Sequence, residues 1–180
     1  MSWNDYYRRR DVIDAVLRHA RRDPDGPLPF DEIPGAADLF GTPENLLLAM
    51  HYRWQQTLGG RLRAEVGGPE DTAGVPGGGE QDHLDAVSRA WRRTVADNPT
   101  LRAVLDAHVD DHPDLRRAHE AELRMLALTA GVAEPGEPDE EITQAGNALV
   151  ALMRARTAGG LTAPRRNPVG QLLRKLAPTG

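Results

Sequence analysis

The pattern of apolar and polar positions is most regular between Thr42 and Val66. Thr42 is a good N-cap, Pro43 suits the first helical position, and the Gly-Gly-Pro sequence at 67–69 would end a helix. Between these signals, large apolar residues recur every four positions and would share one helix face: Met50, Trp54, Leu58, Leu62 and Val66. We predict that this is the longest helix and that the other helices pack around it.

Helical periodicity also predicts five further helices. They cover residues 4–22, 82–96, 99–109, 113–130 and 140–157. The fold class we predict is all-α, a bundle of about six helices, with the helices at 42–66 and 113–130 as its core.

Residues 23–41 contain four prolines and three glycines, so a long helix or strand is not expected there. The segment nevertheless has large apolar side chains that need cover, among them Phe30, Ile33, Leu39 and Phe40. We interpret it as an ordered connection with one short turn at about 36–39.

Two other segments are poor in structural signals. Residues 67–81 have six glycines and two prolines, which is typical of a flexible joint. The C-terminal residues 161–180 form a basic, proline-containing tail with a short amphipathic turn at 168–176. We therefore predict one helical domain over residues 1–160, with the joint at 67–81.

Composition and charge narrow the class of protein. Aromatic residues make up only 4% of the chain, so aliphatic side chains must form most of the core. The net charge is −5, but residues 1–146 hold 16 Arg against 27 acids, whereas residues 147–180 hold six bases and no acid. Nucleic acid could therefore be contacted only through the basic tail, and the simpler expectation is that the tail docks on the acidic body.

The sequence predicts neither secretion by a standard signal nor insertion in a membrane. It has no Cys, its N-terminus is polar, and no apolar run is long enough to span a bilayer. We expect a cytoplasmic protein that does not contact membranes. With only two serines and no nucleophile-elbow motif, we identify no catalytic residue and expect no cofactor.

The densest group of metal-ligating residue types lies between positions 108 and 122. Its members are His108, Asp110, Asp111, His112, His119 and Glu122. The i, i+4 spacing of His108 and His112 would place two imidazoles on one helix face, as helical metal sites require. Pro113 favours a non-helical His112 and a helix boundary between the two. We retain His108, His112 and His119 as an alternative metal site.

Large apolar side chains of two helices could instead form a binding groove. Our hypothesis places a partner or ligand against Met50, His51, Trp54, Leu58, Leu62 and Trp91. The same residues could equally form an ordinary core, with His51 as a partly buried histidine.

The segment from Leu39 to Leu47 resembles the junction after the recognition helix in TetR-family repressors. The matching residues are Phe40, Thr42, Glu44, Leu46 and Leu47. Residues 23–41 lack room for a helix-turn-helix, so the resemblance implies only that family's helical ligand-binding and dimerisation body.

Three hypotheses for function follow. The leading one is a non-enzymatic helical regulatory or interaction protein that binds a protein partner or a second copy of itself. The first alternative is a TetR-like regulator without its helix-turn-helix, which holds a small apolar ligand near Met50, His51 and Trp54. The second alternative is a helical metal-binding protein.

Overall fold

The structure is a computed structural model that describes residues 3–66 and 79–158. These residues form an all-helical bundle. Seven helices lie within these residues: α1 (Trp3–Ala20), α2 (Ala36–Phe40), α3 (Pro43–Val66), α4 (Gly79–Asp97), α5 (Pro99–His108), α6 (Pro113–Thr129) and α7 (Asp139–Ala158). The predicted fold class is confirmed. The predicted joint lies mostly outside the described residues, as does the tail at 161–180.

Helix α3 is the centre of the bundle, as its apolar stripe predicts. It packs against α2, α4, α5 and α6. The Thr42 hydroxyl accepts a hydrogen bond from the Asn45 amide (3.2 Å), which caps the first turn. Glu44 Oε1 accepts a hydrogen bond from the backbone amide of Asp114 (3.2 Å) at the start of α6. The two core helices are therefore tied together at one end.

The proline-rich connection between α1 and α3 is ordered. Phe30 and Phe40 are buried in the main core, which confirms that its apolar side chains fix it. The short turn predicted at 36–39 is a five-residue helix, α2, between Gly35 and Gly41, which both have positive φ. This short helix raises the number from the predicted six to seven.

The second half of the chain forms helices joined by tight connections. Asn98 precedes α5, but its side chain does not cap the new helix. The side-chain Nδ2 donates a hydrogen bond to the carbonyl of Thr94 in α4 instead (3.1 Å). His112 is extended (φ −122°, ψ 103°), as the proline after it predicts. Gly131 ends α6 with φ of 69°.

Helices α6 and α7 pack closely against each other. A Cβ placed on Gly146 would lie 2.3 Å from the Leu123 carbonyl oxygen, so only glycine permits this approach. Helix α4 begins three residues before the predicted position, because the periodicity of apolar side chains does not mark where a helical backbone starts. Among the described helices, none is both long and apolar enough to cross a bilayer.

Candidate functional site

The most unusual group in the interior is the carboxylate of Glu122 on α6. It is 1% exposed, although glutamate is rarely buried unless it is paired. Its neighbours come from three helices: His51 and Trp54 on α3, Arg102 on α5 and His119 on α6 itself. We call these five residues the Glu122 cluster.

The two oxygens of Glu122 have different partners. Oε1 accepts hydrogen bonds from Trp54 Nε1 (2.9 Å) and from Arg102 Nη1 (3.1 Å). Oε2 lies 3.0 Å from His51 Nε2 and 4.0 Å from His119 Nδ1. The second of these distances is too long for a hydrogen bond. Oε1 is therefore fully engaged, whereas Oε2 faces two imidazoles.

A line of alternating charges connects the cluster to the surface. Arg102 donates from Nε to Asp106 Oδ1 (2.9 Å), and its guanidinium lies 5.2 Å from the Trp54 ring centroid. Asp106 also accepts from Arg154 Nη2 on α7 (2.7 Å). The charge of Arg102, a residue that is only 5% exposed, is thus shared between Glu122 and Asp106.

The environment of Glu122 favours its ionised form. Burial alone would raise its pKa, but the neighbouring His119 and His51, the charge of Arg102 and the Trp54 indole hold the pKa well below its ordinary value of 4.5. For Arg102, burial opposes the charge, and the bonds to Asp106 and Glu122 outweigh it, so its pKa is raised.

The residues that we predicted to form a groove lie in the core. Met50, Trp54 and Leu58 are fully buried, and Trp91 is nearly so. Leu62 is also buried, and its edge borders a surface hollow beside Met125 and Thr129 on α6. His51 is turned toward Glu122. These residues therefore build the bundle interior and the Glu122 cluster.

The three histidines that we predicted as a metal site separate into two places. His108 and His112 have ring centroids 6.2 Å apart across the boundary between α5 and α6. Burial, with the neighbouring His112, lowers the pKa of His108. His119 lies instead with His51 and Glu122, where the three ligand atoms fall within 4.8 Å of one another. The structure therefore brings His119 together with His51 and Glu122, and not with His108 and His112, which lie at the boundary between α5 and α6.

Helices α1 and α3 carry a group of exposed aromatic side chains. Trp3, Tyr6, Tyr7 and Tyr52 are between 51% and 79% exposed, and they are half of the eight aromatic residues in the chain. Trp3 stacks on Tyr7 with centroids 6.2 Å apart, and Tyr6 meets Tyr7 edge to face at 5.6 Å. We call these four residues the aromatic face.

A groove of about 450 Å³ runs beside the aromatic face, between α1 and α3. Its apolar floor includes Phe40, and its rim carries Tyr6, Tyr52 and three arginines: Arg9, Arg10 and Arg53. The lining residues recur at helical spacing on both helices. Arg9 lies over the Phe40 ring, 5.3 Å from its centroid.

Comparison with known proteins gives no relative. No family model, no curated protein and no solved structure matches this chain. The resemblance to TetR-family repressors therefore stays a prediction.

Sequence reasoning found some of these features and missed others. His119 and Glu122 were recognised as ligand types, but their partner His51 comes from a helix 71 residues before Glu122. The aromatic face had a partial signal: Trp3 and Tyr7 are four residues apart and share one side of α1, whereas Tyr6 shares the side of Ile13, seven residues later.

Proposed function

We propose that this protein is a helical interaction protein that associates with a second copy of itself through the aromatic face and the adjoining groove. The observation that carries the proposal is the exposure of four aromatic side chains at one groove, three of them in contact with one another. No catalytic role is needed for any of these residues.

Exposed aromatic clusters of this kind mark interaction surfaces. Tyrosine and tryptophan are enriched at interfaces, because their rings supply apolar area while their polar atoms stay hydrated. An aromatic side chain can bury about 150–250 Å². With half or more of each side chain exposed, four of them offer roughly half of the ~800 Å² per partner that a standard interface needs.

The shape of this surface suits a symmetric contact. Tyr6 lines the groove, and the stacked pair of Trp3 and Tyr7 lies beside it on the same helix. The stacked pair and the groove belong to one face of the protein. A two-fold axis can therefore place the aromatic pair of each copy in the groove of the other. Such a contact closes at the dimer and does not continue into a chain.

The charges on α1 also support a second copy of the chain as the binding partner. Arg8, Arg9 and Arg10 are followed directly by Asp11, and both Arg8 and Asp11 are exposed. If two α1 helices pack antiparallel, the arginines of one copy lie opposite the aspartate of the other. A face with both signs of charge in this order is complementary to itself, which favours self-association over binding of a uniformly acidic partner.

Analytical ultracentrifugation across a concentration series tests the proposal. We expect the full chain to sediment as a dimer that dissociates on dilution. The double variant Tyr7→Ala with Tyr52→Ala should be a folded monomer, because both side chains are exposed and the core stays unchanged. The matched control is Val132→Ala with Leu152→Ala, which removes exposed apolar side chains away from the aromatic face and should leave the dimer intact.

Two results would overturn the proposal. One is a wild-type chain that stays monomeric at every concentration, in which case the face serves a different partner or none. The other is a dimer that survives the tyrosine substitutions, which would place the contact elsewhere. Circular dichroism of each variant confirms that a change in mass is not a loss of fold.

A further inference from the structure

The Glu122 cluster contains three side chains that converge on a single point. His51 Nε2, His119 Nδ1 and a carboxylate oxygen of Glu122 all lie within 4.8 Å of one another. Two histidines and one carboxylate form a donor set that zinc and other divalent transition metals use. We propose that His51, His119 and Glu122 bind a divalent transition-metal ion of the Zn²⁺ class.

Positions along the helices explain why the three groups meet. His119 and Glu122 are three residues apart on α6, so they lie on one helix face. His51 is on α3, which packs against α6. Two ligands from one helix and one from its neighbour leave the remaining coordination positions open, which would be filled by water or another small ligand.

The distances are close to those of a metal site. Two ligands that are each about 2.1 Å from a metal lie roughly 3.0–3.4 Å apart for angles from 90° to tetrahedral. His51 and Glu122 are already 3.0 Å apart. His119 is 4.0 Å from Glu122 and within 4.8 Å of His51, so its ring must move inward on metal binding. It can do so because it is 19% exposed and makes no hydrogen bond to Glu122.

The carboxylate oxygen of Glu122 that faces away from the histidines, Oε1, is fixed by hydrogen bonds, as the carboxylates of metal sites usually are. Oε1 accepts from Trp54 and Arg102, which orients the carboxylate and leaves Oε2 directed at the histidines. Arg102 would oppose a nearby cation, but its charge is also balanced by Asp106. His119, at 19% exposure, is the most solvent-exposed of the three ligands.

This site is independent of the proposed self-association. The dimer hypothesis uses exposed residues of α1 and α3, whereas the metal hypothesis uses buried and half-buried residues between α3 and α6. Either one can fail without the other.

Titration calorimetry with Zn²⁺ alone, on the full chain freed of metal by a chelator, tests the site. We expect saturable binding of one ion per chain and a rise in melting temperature. His119→Ala should abolish the heat of binding yet fold normally, because His119 is partly exposed and its loss leaves no buried group unpaired. Co²⁺ in place of Zn²⁺ should give a visible absorption spectrum in the wild type only.

The matched control is the double variant His108→Ala with His112→Ala. These histidines lie outside the Glu122 cluster, so the control should bind Zn²⁺ as the wild type does. Absence of binding by the wild type, or binding that persists in His119→Ala, would overturn the proposal. Loss of binding in the control would overturn it as well and would return the site to the boundary between α5 and α6.

Discussion

The imidazole of His51 lies 3.0 Å from the carboxylate of Glu122, a residue 71 positions later in the chain, and both side chains are almost fully buried. The contact joins α3 to α6, the two core helices. Because a buried carboxylate costs free energy unless it is paired, the cluster around Glu122 must form whenever these helices pack in this way. It therefore specifies how α3, α5 and α6 meet.

Replacing Glu122 by glutamine should destabilise the protein strongly. Glutamine keeps the shape but removes the charge that compensates Arg102, and removing one partner of a buried ion pair costs about 3–5 kcal/mol. Urea unfolding of Glu122→Gln gives the loss in the free energy of unfolding. Glu120→Gln, the same change two residues earlier on α6, should alter it by less than about 0.5 kcal/mol. A loss below about 1 kcal/mol for Glu122→Gln would contradict this account of the cluster.

The low pKa of Glu122 predicts acid sensitivity. Its pKa is lower in the folded protein than its ordinary value of 4.5, so the unfolded chain binds more protons and stability falls as the pH drops below 4.5. The contribution is fully present above that pH. Denaturation midpoints measured with a chelator present should fall less steeply below pH 4.5 in Glu122→Gln than in the wild type. Parallel curves would show that Glu122 is not stabilised in its ionised form.

Burial of His108 adds a second pH effect at higher pH. Its pKa is lowered in the folded state from the ordinary value of 6.5, so the unfolded chain again binds more protons. Stability should therefore fall as the pH drops below 6.5, and His108→Gln should remove this part of the slope. The measurement is the free energy of unfolding as a function of pH between 4.5 and 6.5, the ordinary pKa values of Glu122 and His108. If the slope of this plot is the same in His108→Gln as in the wild type, the prediction is wrong.

Two glycines in helices predict opposite effects of the same substitution. Gly146→Ala would place a Cβ against the backbone of α6, and overpacking of this kind costs about 1–3 kcal/mol. Gly60 in α3 has open space around the Cβ position, so Gly60→Ala should stabilise by about 0.5–1 kcal/mol. Thermal unfolding compares the two. Equal shifts of melting temperature would mean that α6 and α7 are not in close contact at Gly146.

Local signals in the sequence predict much of the fold. The stripe from Met50 to Val66 identifies α3 and its buried face, and the proline after His112 identifies the start of α6. Such features depend on neighbouring residues, which the sequence displays. The short helix α2 has too few residues to show a period.

The sites were harder to predict because they depend on distant residues. The pairing of His51 with Glu122 follows from the packing of α3 on α6, which no local pattern encodes. The groove prediction from Trp54 and Leu58 identified the buried stripe correctly as apolar but could not distinguish core from groove. That distinction depends on which helices cover the stripe.

The central claim, self-association through α1, is tested most directly by disulfide cross-linking. The chain has no cysteine, so single variants Asn4→Cys, Arg8→Cys and Asp11→Cys on the exposed side of α1 report only on contacts between copies. Glu140→Cys, at the exposed start of α7, is the control. Under mild oxidation we expect at least one α1 variant to form a covalent dimer rapidly while the control stays monomeric. If no α1 variant cross-links faster than Glu140→Cys, the two copies do not meet through this helix.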